Sequence, residues 1–140
     1  MERVCTEIHI RICEASDIVV ARRHTRELAV RQGLSEVAVA ALAIAVTEVA
    51  TNIVVHAGAG EIVLAAATGA GRCGVTVTAL DAGPGILEIE QAMRDGFSTG
   101  TGLGFGLPGA RRLVDEFEIE SIVGVGTRVM LRKWTATDAP

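Results

Sequence analysis

DAGPGILEIEQAMRDGFSTGTGLGFGLPG, from Asp81 to Gly109, is the stretch around which the rest of the chain is organised. It contains eight of the chain's 16 glycines, whereas glycine averages roughly 7% of a soluble domain. Glycine lets backbone N–H groups approach anionic oxygens closely. Leu103, Phe105 and Leu107 alternate with the last glycines, which is not typical of a flexible linker. The stretch therefore predicts a loop that cradles phosphate groups.

Size and composition predict one domain with an aliphatic core. The chain has 140 residues, of which 49% are hydrophobic and 21% charged, and it contains no Tyr and one Trp. We predict a single domain over residues 1–134 and a loose tail over residues 135–140. The formal net charge is −4 and no cluster of Lys and Arg stands out. Nucleic acid is therefore not expected as a partner.

The sequence also predicts a cytoplasmic location. The longest apolar run, Val37 to Val46, is shorter than the ~18 residues that a membrane-spanning helix needs. No signal-peptide pattern opens the chain. The three cysteines show no CxxC spacing, which fits a reducing compartment. We therefore expect no membrane segment.

Hydrophobic periodicity predicts the element order β-α-α-β-β-loop-α-β-β. Ser16 or Asp17 is predicted to cap the first helix, Ser35 the second, and Pro108 to lie in the first turn of the third. The predicted strands are 4–12, 61–68, 74–80, 117–123 and 127–134, and the predicted helices run from about 16 to 31, from 35 to about 55 and from 107 to 116, with a short helical pattern at 86–94. Hairpin-linked strands with interspersed helices predict an α+β fold. We expect a two-layer α/β sandwich, with a mixed, mostly antiparallel sheet and helices on one face.

Glu48 and Asn52 lie in the most apolar helix of the chain. Their spacing of four residues places both side chains on one helix face, one turn apart. A buried carboxylate without a cation is costly, so Glu48 is either a structural residue that finds an Arg elsewhere or a functional one. In the functional interpretation Asn52 offers a carbonyl oxygen to Mg²⁺ and Glu48 polarises a hydroxyl or water. His56 follows four residues later.

Three glycine motifs follow. In the sequence 81–85 (DAGPG), Asp81 closes a strand and can accept a hydrogen bond from an exocyclic amine such as that of adenine. The sequence 100–106 (GTGLGFG) runs into a helix whose N-terminus favours anions. It is not a dinucleotide fingerprint, because it does not follow the first strand. The sequence 124–127 (GVGT) is explained equally well by a hairpin turn.

In this order, ExxxN at 48–52, DxGxG at 81–85, GxGxG at 102–106 and GxGT at 124–127 resemble the ATP-binding domain of the GHKL superfamily, which includes gyrase, Hsp90, histidine kinases and MutL. The motifs span nearly the whole chain, which leaves the single-domain, anti-sigma-type serine/threonine kinases. Residues 95–121 and the ending VGTRVMLRKW are similar to the switch kinases of the stressosome. The resemblance implies the Bergerat fold, with ATP under a lid at about residues 86–101.

The resemblance implies a role for each matching residue. Glu48 would be the catalytic base and Asn52 the ligand of Mg²⁺, while Asp81 would bind the adenine amine. The ATP-binding residues that it implies are Asn52, His56, Asp81, Gly83, Gly85, Ile86, Thr101, Gly102, Leu103, Gly104, Phe105, Gly106 and Thr127. Related kinases place an Arg before the glycine loop, where this chain has Gly100 and Thr101. The cation at the terminal phosphate is therefore unassigned, with Arg94 and Arg111 as the candidates.

The implied function is that of an ATP-dependent protein serine/threonine kinase and partner switch in bacterial stress signalling. It would phosphorylate a STAS-domain antagonist and then activate a PP2C-type phosphatase. Two alternatives are an anti-sigma factor kinase that sequesters a sigma factor directly and a non-catalytic, nucleotide-gated binding switch. A pull-down would retrieve a sigma factor in the first alternative, and Glu48→Ala would leave partner regulation intact in the second. A weak homodimer is a further expectation.

Overall fold

The computed structural model describes residues 7–83 and 106–136. The predicted lid, most of the glycine loop and the short helical pattern at 86–94 lie outside these residues. The described elements are β1 (Ile8–Ile12), α1 (Ala15–Arg31), α2 (Glu36–Asn52), a π-helical turn (Ile53–Ala57), β2 (Gly60–Gly69), β3 (Arg72–Asp81), α3 (Gly106–Leu113), β4 (Glu116–Ile122) and β5 (Gly126–Trp134). Within the described part, this order is the predicted one.

The five strands form one sheet in the order β1-β2-β3-β5-β4. Every pairing among the described strands is antiparallel. Alternate side chains of each strand form one apolar face, because successive residues of a strand point to opposite sides. That face and the helices share one core, which includes Ile10, Ile12, Ile62, Leu64, Val75, Val77, Val129 and Leu131. The predicted α+β class is confirmed.

Helix α2 is the central helix of the second layer and packs against α1, α3 and the sheet. Together with the π-helical turn it gives a helix of 22 residues, Glu36–Ala57, which is long and apolar enough to cross a membrane. The apolar run of the sequence analysis underestimated the length of this apolar helix. Thr47 and Glu48 interrupt the run, but the helix as a whole stays apolar. Half of the helix is buried within the domain, as expected for a core helix.

The first helix begins differently from the prediction. Its N-cap is Glu14, and neither Ser16 nor Asp17 takes that position. The Asp17 carboxylate instead accepts hydrogen bonds from the backbone N–H groups of Cys13 (2.8 Å) and Glu14 (3.1 Å), as the third helical residue of a capping box does. The predicted cap of α2 is confirmed, because the Ser35 hydroxyl accepts from the N–H of Ala38 at 3.1 Å.

The third helix ends earlier than predicted. It stops at Leu113, and Glu116, which was predicted to be helical, begins β4. The reason lies in β5. The Asp115 N–H donates to the carbonyl of Arg132 at 2.9 Å, and the Glu116 carboxylate accepts from Arg132 at 2.7 Å and from the indole N–H of Trp134 at 2.6 Å. Strand pairing therefore overrides the local helical pattern.

The strand limits differ slightly from the predicted ones. β2 and β3 each extend beyond the predicted ends and pair from Gly60–Asp81 to Gly69–Arg72. Thr135, which was predicted to begin the loose tail, is held against β3: its N–H donates to the carbonyl of Cys73 at 2.8 Å, and its hydroxyl accepts from the Cys73 N–H at 3.3 Å. Residues 137–140 lie outside the described part, so for them the loose tail stays a prediction.

Candidate functional site

The carboxylate of Glu48 is the most buried charged group of the described chain, with 4% of the residue exposed. It lies on the inner side of α2 and accepts a hydrogen bond from the backbone N–H of Gly106 at 3.2 Å. Gly106 has a φ of +67° and begins α3. An inner-helix carboxylate therefore reaches the point where the glycine-rich stretch turns into a helix.

Burial raises the pKa of the Glu48 carboxyl above its ordinary value, and the hydrogen bond from Gly106 opposes that shift to a smaller extent. A carboxylate with a raised pKa is a stronger proton acceptor than an exposed one. Such a group at the end of a glycine-rich stretch is a candidate general base. In the described residues no Arg or Lys forms an ion pair with it, so the alternative of a structural Glu–Arg pair is not supported there.

Asn52 is the last residue of α2, half-buried and one turn beyond Glu48. The hydrogen-bond pattern changes immediately after it, and the N–H of Gly58 bonds to the carbonyl of Ile53 at 2.9 Å. Such π-helical turns occur frequently at functional sites. Because the turn is wider than an α-helical one, the spacing of four no longer aligns His56 with Asn52. The side chain of His56 is exposed, so its predicted role near the nucleotide rests on the resemblance alone.

The end of β3 lies directly against this π-helical turn. The N–H of Gly83 donates to the Asp81 carboxylate at 2.9 Å, which holds that side chain in a tight local turn. A Cβ added at Gly83 would lie 2.6 Å from the Cβ of Ala57. Gly83 is therefore required by contact with the turn that follows Asn52. This contact brings Asp81 and Asn52 to the same end of the domain.

A polar row crosses the sheet at this end. Asp81 pairs with Thr127 of β5, and Thr127 pairs with Ser121 of β4. Thr127 is 8% exposed, and its hydroxyl oxygen lies 2.9 Å from the hydroxyl oxygen of Ser121. These residues continue the apolar face of their strands, so the row faces the helical layer.

The two glycines of the 124–127 motif are required for different physical reasons. Gly124 has a φ of +83° with open space beside it, as a turn residue does. Gly126 has a φ of +152°, and a Cβ there would lie 2.1 Å from the carbonyl oxygen of Asp81. The hairpin explanation of the motif is therefore sufficient for Gly124 and incomplete for Gly126, which lets β5 approach the end of β3.

The structure thus joins Glu48 to Gly106 and joins Asp81 to Gly83 and Thr127, and Gly83 packs against the turn that follows Asn52. Seven other predicted ATP-binding residues lie outside the described residues, namely Gly85, Ile86, Thr101, Gly102, Leu103, Gly104 and Phe105. Arg94 lies outside them as well, and the roles of all eight stay predictions. Arg111 is exposed in the last turn of α3. It lies five residues beyond Gly106, about 7.5 Å along the helix, and its role at the terminal phosphate stays a prediction.

Sequence reasoning missed Ser121 and Ala57. A signal for Ser121 was present in β4, where Phe117, Ile119 and Ser121 alternate with glutamates. A single hydroxyl that continues an apolar face indicates a specific contact on that face. No comparable signal marked Ala57, because its contact with Gly83 depends on a π-helical turn that the local sequence does not predict.

The donor atoms fit a magnesium ion bound together with a nucleotide. Asn52, the predicted ligand, carries an amide oxygen, which is a type of ligand that Mg²⁺ prefers, one helical turn from Glu48. No group of three or more His, Cys, Asp or Glu residues gathers in the described part of the chain to form a complete protein cage. Mg²⁺ commonly takes only one or two protein ligands and completes its shell with phosphates and water.

Comparisons with known proteins identify the family of this chain. The family model described as "Histidine kinase-like ATPase domain" matches residues 13–133. The serine/threonine-protein kinase RsbT of Bacillus subtilis (strain 168) is 43% identical over 125 residues, which are 89% of this chain and 94% of that protein. The anti-sigma F factor of Thermoanaerobacter sp. (strain X514) is 33% identical over 102 residues, which are 67% and 68% of the two chains. The predicted relationship is confirmed.

A solved structure shares the fold. The RsbU and RsbW domains of a Mycobacterium tuberculosis protein match with a TM-score of 0.63 and 23% identity. The match covers 91% of this chain and 32% of that one. At this identity it supports the arrangement of helices and strands and carries no argument about activity.

Proposed function

This chain belongs to the family of histidine kinase-like ATPase domains, and we propose that it is an ATP-dependent protein serine/threonine kinase that acts as a partner switch. The observation that carries the proposal is the contact between Glu48 and Gly106, 3.2 Å long. It places a buried carboxylate where the glycine-rich stretch enters α3. The relative named as a serine/threonine-protein kinase supports the reaction class.

In the proposed reaction Glu48 orients the hydroxyl of an acceptor Ser or Thr and accepts its proton. Phosphoryl transfer demands mainly positioning and neutralisation of charge. Burial supports the role of Glu48 as a proton acceptor, because it raises the pKa of the carboxyl. The backbone N–H of Gly106, at the positive end of α3, would face a phosphate once the acceptor hydroxyl engages Glu48.

The remaining residues would hold the nucleotide. Asn52 would bind Mg²⁺, which supplies neutralisation of the phosphate charge when it is bound. The Asp81 carboxylate, fixed by Gly83, would accept a hydrogen bond from an exocyclic amine of the base. Thr127 lies beside Asp81 across the strand pair and would face the same edge of the base.

The proposal also covers the proteins with which this kinase would interact. The acceptor would be a small STAS-domain antagonist, and the kinase released from it would activate a PP2C-type phosphatase in the cytoplasm. This sequence of events is supported by the similarity to RsbT over nearly the full length of both chains. Self-association as a weak homodimer stays a prediction.

A second candidate is an anti-sigma factor kinase that binds a sigma factor directly. It is favoured by the similarity to anti-sigma F factors, which reaches 33% identity over two thirds of the chain. The kinase chemistry would be the same in both candidates. They differ in the protein that is retained when the kinase is used as bait.

The test is transfer of label from γ-labelled ATP to a purified STAS-domain protein in the presence of Mg²⁺. Glu48→Gln is expected to lower the rate by about 10²-fold or more, the usual contribution of a general base. Glu36→Gln, an exposed glutamate at the start of the same helix, is the matched control and is expected to keep the rate. Equal transfer by Glu48→Gln and the wild type would refute the assigned base. Retention of a sigma factor by the bait would favour the second candidate.

A further inference from the structure

We propose that the tip of the β4–β5 hairpin, residues 122–125, docks the protein that carries the acceptor Ser or Thr, through apolar contacts and a basic group of that protein. This inference rests on the proposed function, because it names the surface that would receive the protein substrate of the same kinase site. The apolar residues of this hairpin tip are Ile122, Val123 and Val125, and none of them is a predicted site residue.

The turn itself does not explain the composition of the hairpin tip. The N–H of Val125 donates to the carbonyl of Ile122 at 2.9 Å, and Gly124, the third residue of the turn, has a φ of +83°. These are the features of a type II turn, which requires glycine at that one position. Gly, Pro, Asn, Asp and Ser dominate turns in general. This turn instead carries large apolar side chains at its other three positions.

All three apolar side chains of the hairpin tip are open to solvent. Ile122 is 63% exposed, Val123 60% and Val125 62%. A single exposed apolar residue is ordinary on a protein surface, whereas a cluster of them marks an interaction site. Because all three side chains are β-branched, they have little rotamer freedom to lose when a partner buries them. The hairpin tip therefore has the properties of a docking element.

The hairpin tip adjoins the base end of the proposed nucleotide site. Gly126 directly follows the tip, and a Cβ on it would lie 2.1 Å from the carbonyl oxygen of Asp81. Asp81 is the residue proposed to bind the base. Under the proposed function the acceptor protein must approach this end of the domain to reach the nucleotide. An exposed apolar tip at this end is placed to contact it.

The charges that lead up to the hairpin tip select the class of partner. Glu118 and Glu120 are exposed on β4, and the guanidinium of Arg128 lies 4.0 Å and 3.6 Å from their carboxylates. One cation between two carboxylates leaves one negative charge in excess. This excess favours a protein that presents a basic side chain beside an apolar surface. It disfavours an anionic membrane, and also the tip of a second copy of this chain, because both would bring like charges together.

The test measures phosphoryl transfer to a purified STAS-domain protein whose concentration is varied. The double variant Val123→Thr, Val125→Thr keeps the β-branched shape of both side chains and replaces one methyl group of each with a hydroxyl. We expect it to raise the KM for the acceptor protein about tenfold, in line with two apolar groups that no longer gain from burial. The kcat at saturating acceptor and the KM for Mg-ATP are expected to stay at the wild-type values.

Val30→Thr is the matched control, because Val30 is 64% exposed in the last turn of α1. It lies at the opposite end of the domain: the nearby Gln32 side chain donates to the carbonyl of Gly74 at 3.0 Å, and Gly74 pairs with Trp134 at the far end of β5. This variant is expected to keep the acceptor KM. Equal acceptor KM values for the double variant and Val30→Thr would overturn the inference and leave the proposed function intact. Wild-type protein that transferred no phosphate would refute both.

Two binding measurements decide between the acceptor and other occupants. Wild type and variants are sedimented with vesicles of phosphatidylglycerol and phosphatidylcholine, and alone at increasing protein concentration. We expect no vesicle binding or self-association that depends on the hairpin tip. Either signal, if lost in the double variant and kept in Val30→Thr, would overturn the inference in favour of a membrane or a second copy. If the double variant failed to fold, as judged by thermal unfolding, Val123→Thr alone would replace it.

The basic group of the partner is tested separately with Glu120→Gln, which removes the excess negative charge. The acceptor KM is expected to rise about threefold at low salt and to approach the wild-type value at high salt, because exposed charges are screened. An acceptor KM equal to that of the wild type at low salt would overturn the assignment of a basic group.

Discussion

Gly126→Ala is expected to destabilise the protein far more than Gly124→Ala, although the two glycines lie in the same hairpin. At Gly124 a Cβ meets open space, so the cost is the strain of a positive φ, about 1 kcal/mol. At Gly126 the Cβ would lie 2.1 Å from the carbonyl oxygen of Asp81 and 3.0 Å from the Cα of Ala82. The backbone at the end of β3 must then move by about 1 Å, since a Cβ essentially never lies within 3.0 Å of another heavy atom.

The expected magnitude combines two terms. Backbone strain at a positive φ contributes about 1–3 kcal/mol, and forced overpacking contributes about 1–3 kcal/mol. The free energy of unfolding should therefore fall by about 4 kcal/mol for Gly126→Ala. For 140 residues the unfolding entropy is about 0.3 kcal/mol per kelvin. Tm should then fall by about 13 °C for Gly126→Ala and by about 3 °C for Gly124→Ala.

The assay is thermal and urea unfolding of both variants, followed by calorimetry with Mg-ATP at a temperature where both are folded. Because the displaced backbone carries Asp81, Gly126→Ala should also lower ATP affinity by about tenfold, the equivalent of one displaced hydrogen bond to a charged group. Gly124→Ala should bind ATP as the wild type does. Equal Tm losses in the two variants would refute the close approach of β5 to β3 as the reason for Gly126.

Three further predictions concern the helices and the core. Glu48→Gln should stabilise the protein by about 1 kcal/mol at neutral pH. The pKa of Glu48 is raised in the folded state, so its contribution to stability is fully present below the pKa of the unfolded chain and is lost as the pH rises through the pKa of the folded protein. The higher Tm of Glu48→Gln relative to the wild type should therefore disappear in acid, where Glu48 is protonated. A Tm difference that did not depend on pH would contradict this reasoning. Ser35→Ala should cost about 1 kcal/mol in urea unfolding through loss of the α2 cap, whereas Ser16→Ala should cost almost nothing, and equal costs would restore Ser16 as a cap. Leu64→Ala, at a side chain with no exposure, should cost about 3–4 kcal/mol, while Val37→Ala, at an 80% exposed one, should stay within about 0.5 kcal/mol; comparable losses would place Val37 in a buried contact.

Individual residues show which helix positions the sequence predicts and which it does not. The spacing of Glu48 and Asn52 by itself predicts that they lie one turn apart on a buried helix, because the α-helical period is a local property. The local sequence did not show that the helix widens into a π-helical turn around His56. The predicted helix end was wrong at Glu116, which begins β4 and bonds to Arg132 and Trp134 of β5.

Local signals identified Ser35 as a cap, since a hydroxyl before an apolar helical pattern needs only the next turn to act on. They did not identify Glu14, whose helix starts two residues earlier than a cap at Ser16 would allow and three earlier than a cap at Asp17 would allow. The sequence therefore predicted which helices and strands form. Their first and last residues depended on hydrogen bonds that compete with the local pattern.

The amino-acid sequence by itself determined the element order, the α+β class, the buried Glu48 and the family relationship, because periodicity and motif spacing are properties of neighbouring residues. The tertiary structure alone decided that Gly83 is needed against Ala57, that Gly126 is needed against Asp81, and that Ser121 reaches Thr127. These contacts join strands and turns that are distant in the chain. These residues are required because two backbone segments approach closely at each contact. The distance between those segments is set only when the strands pair in their register.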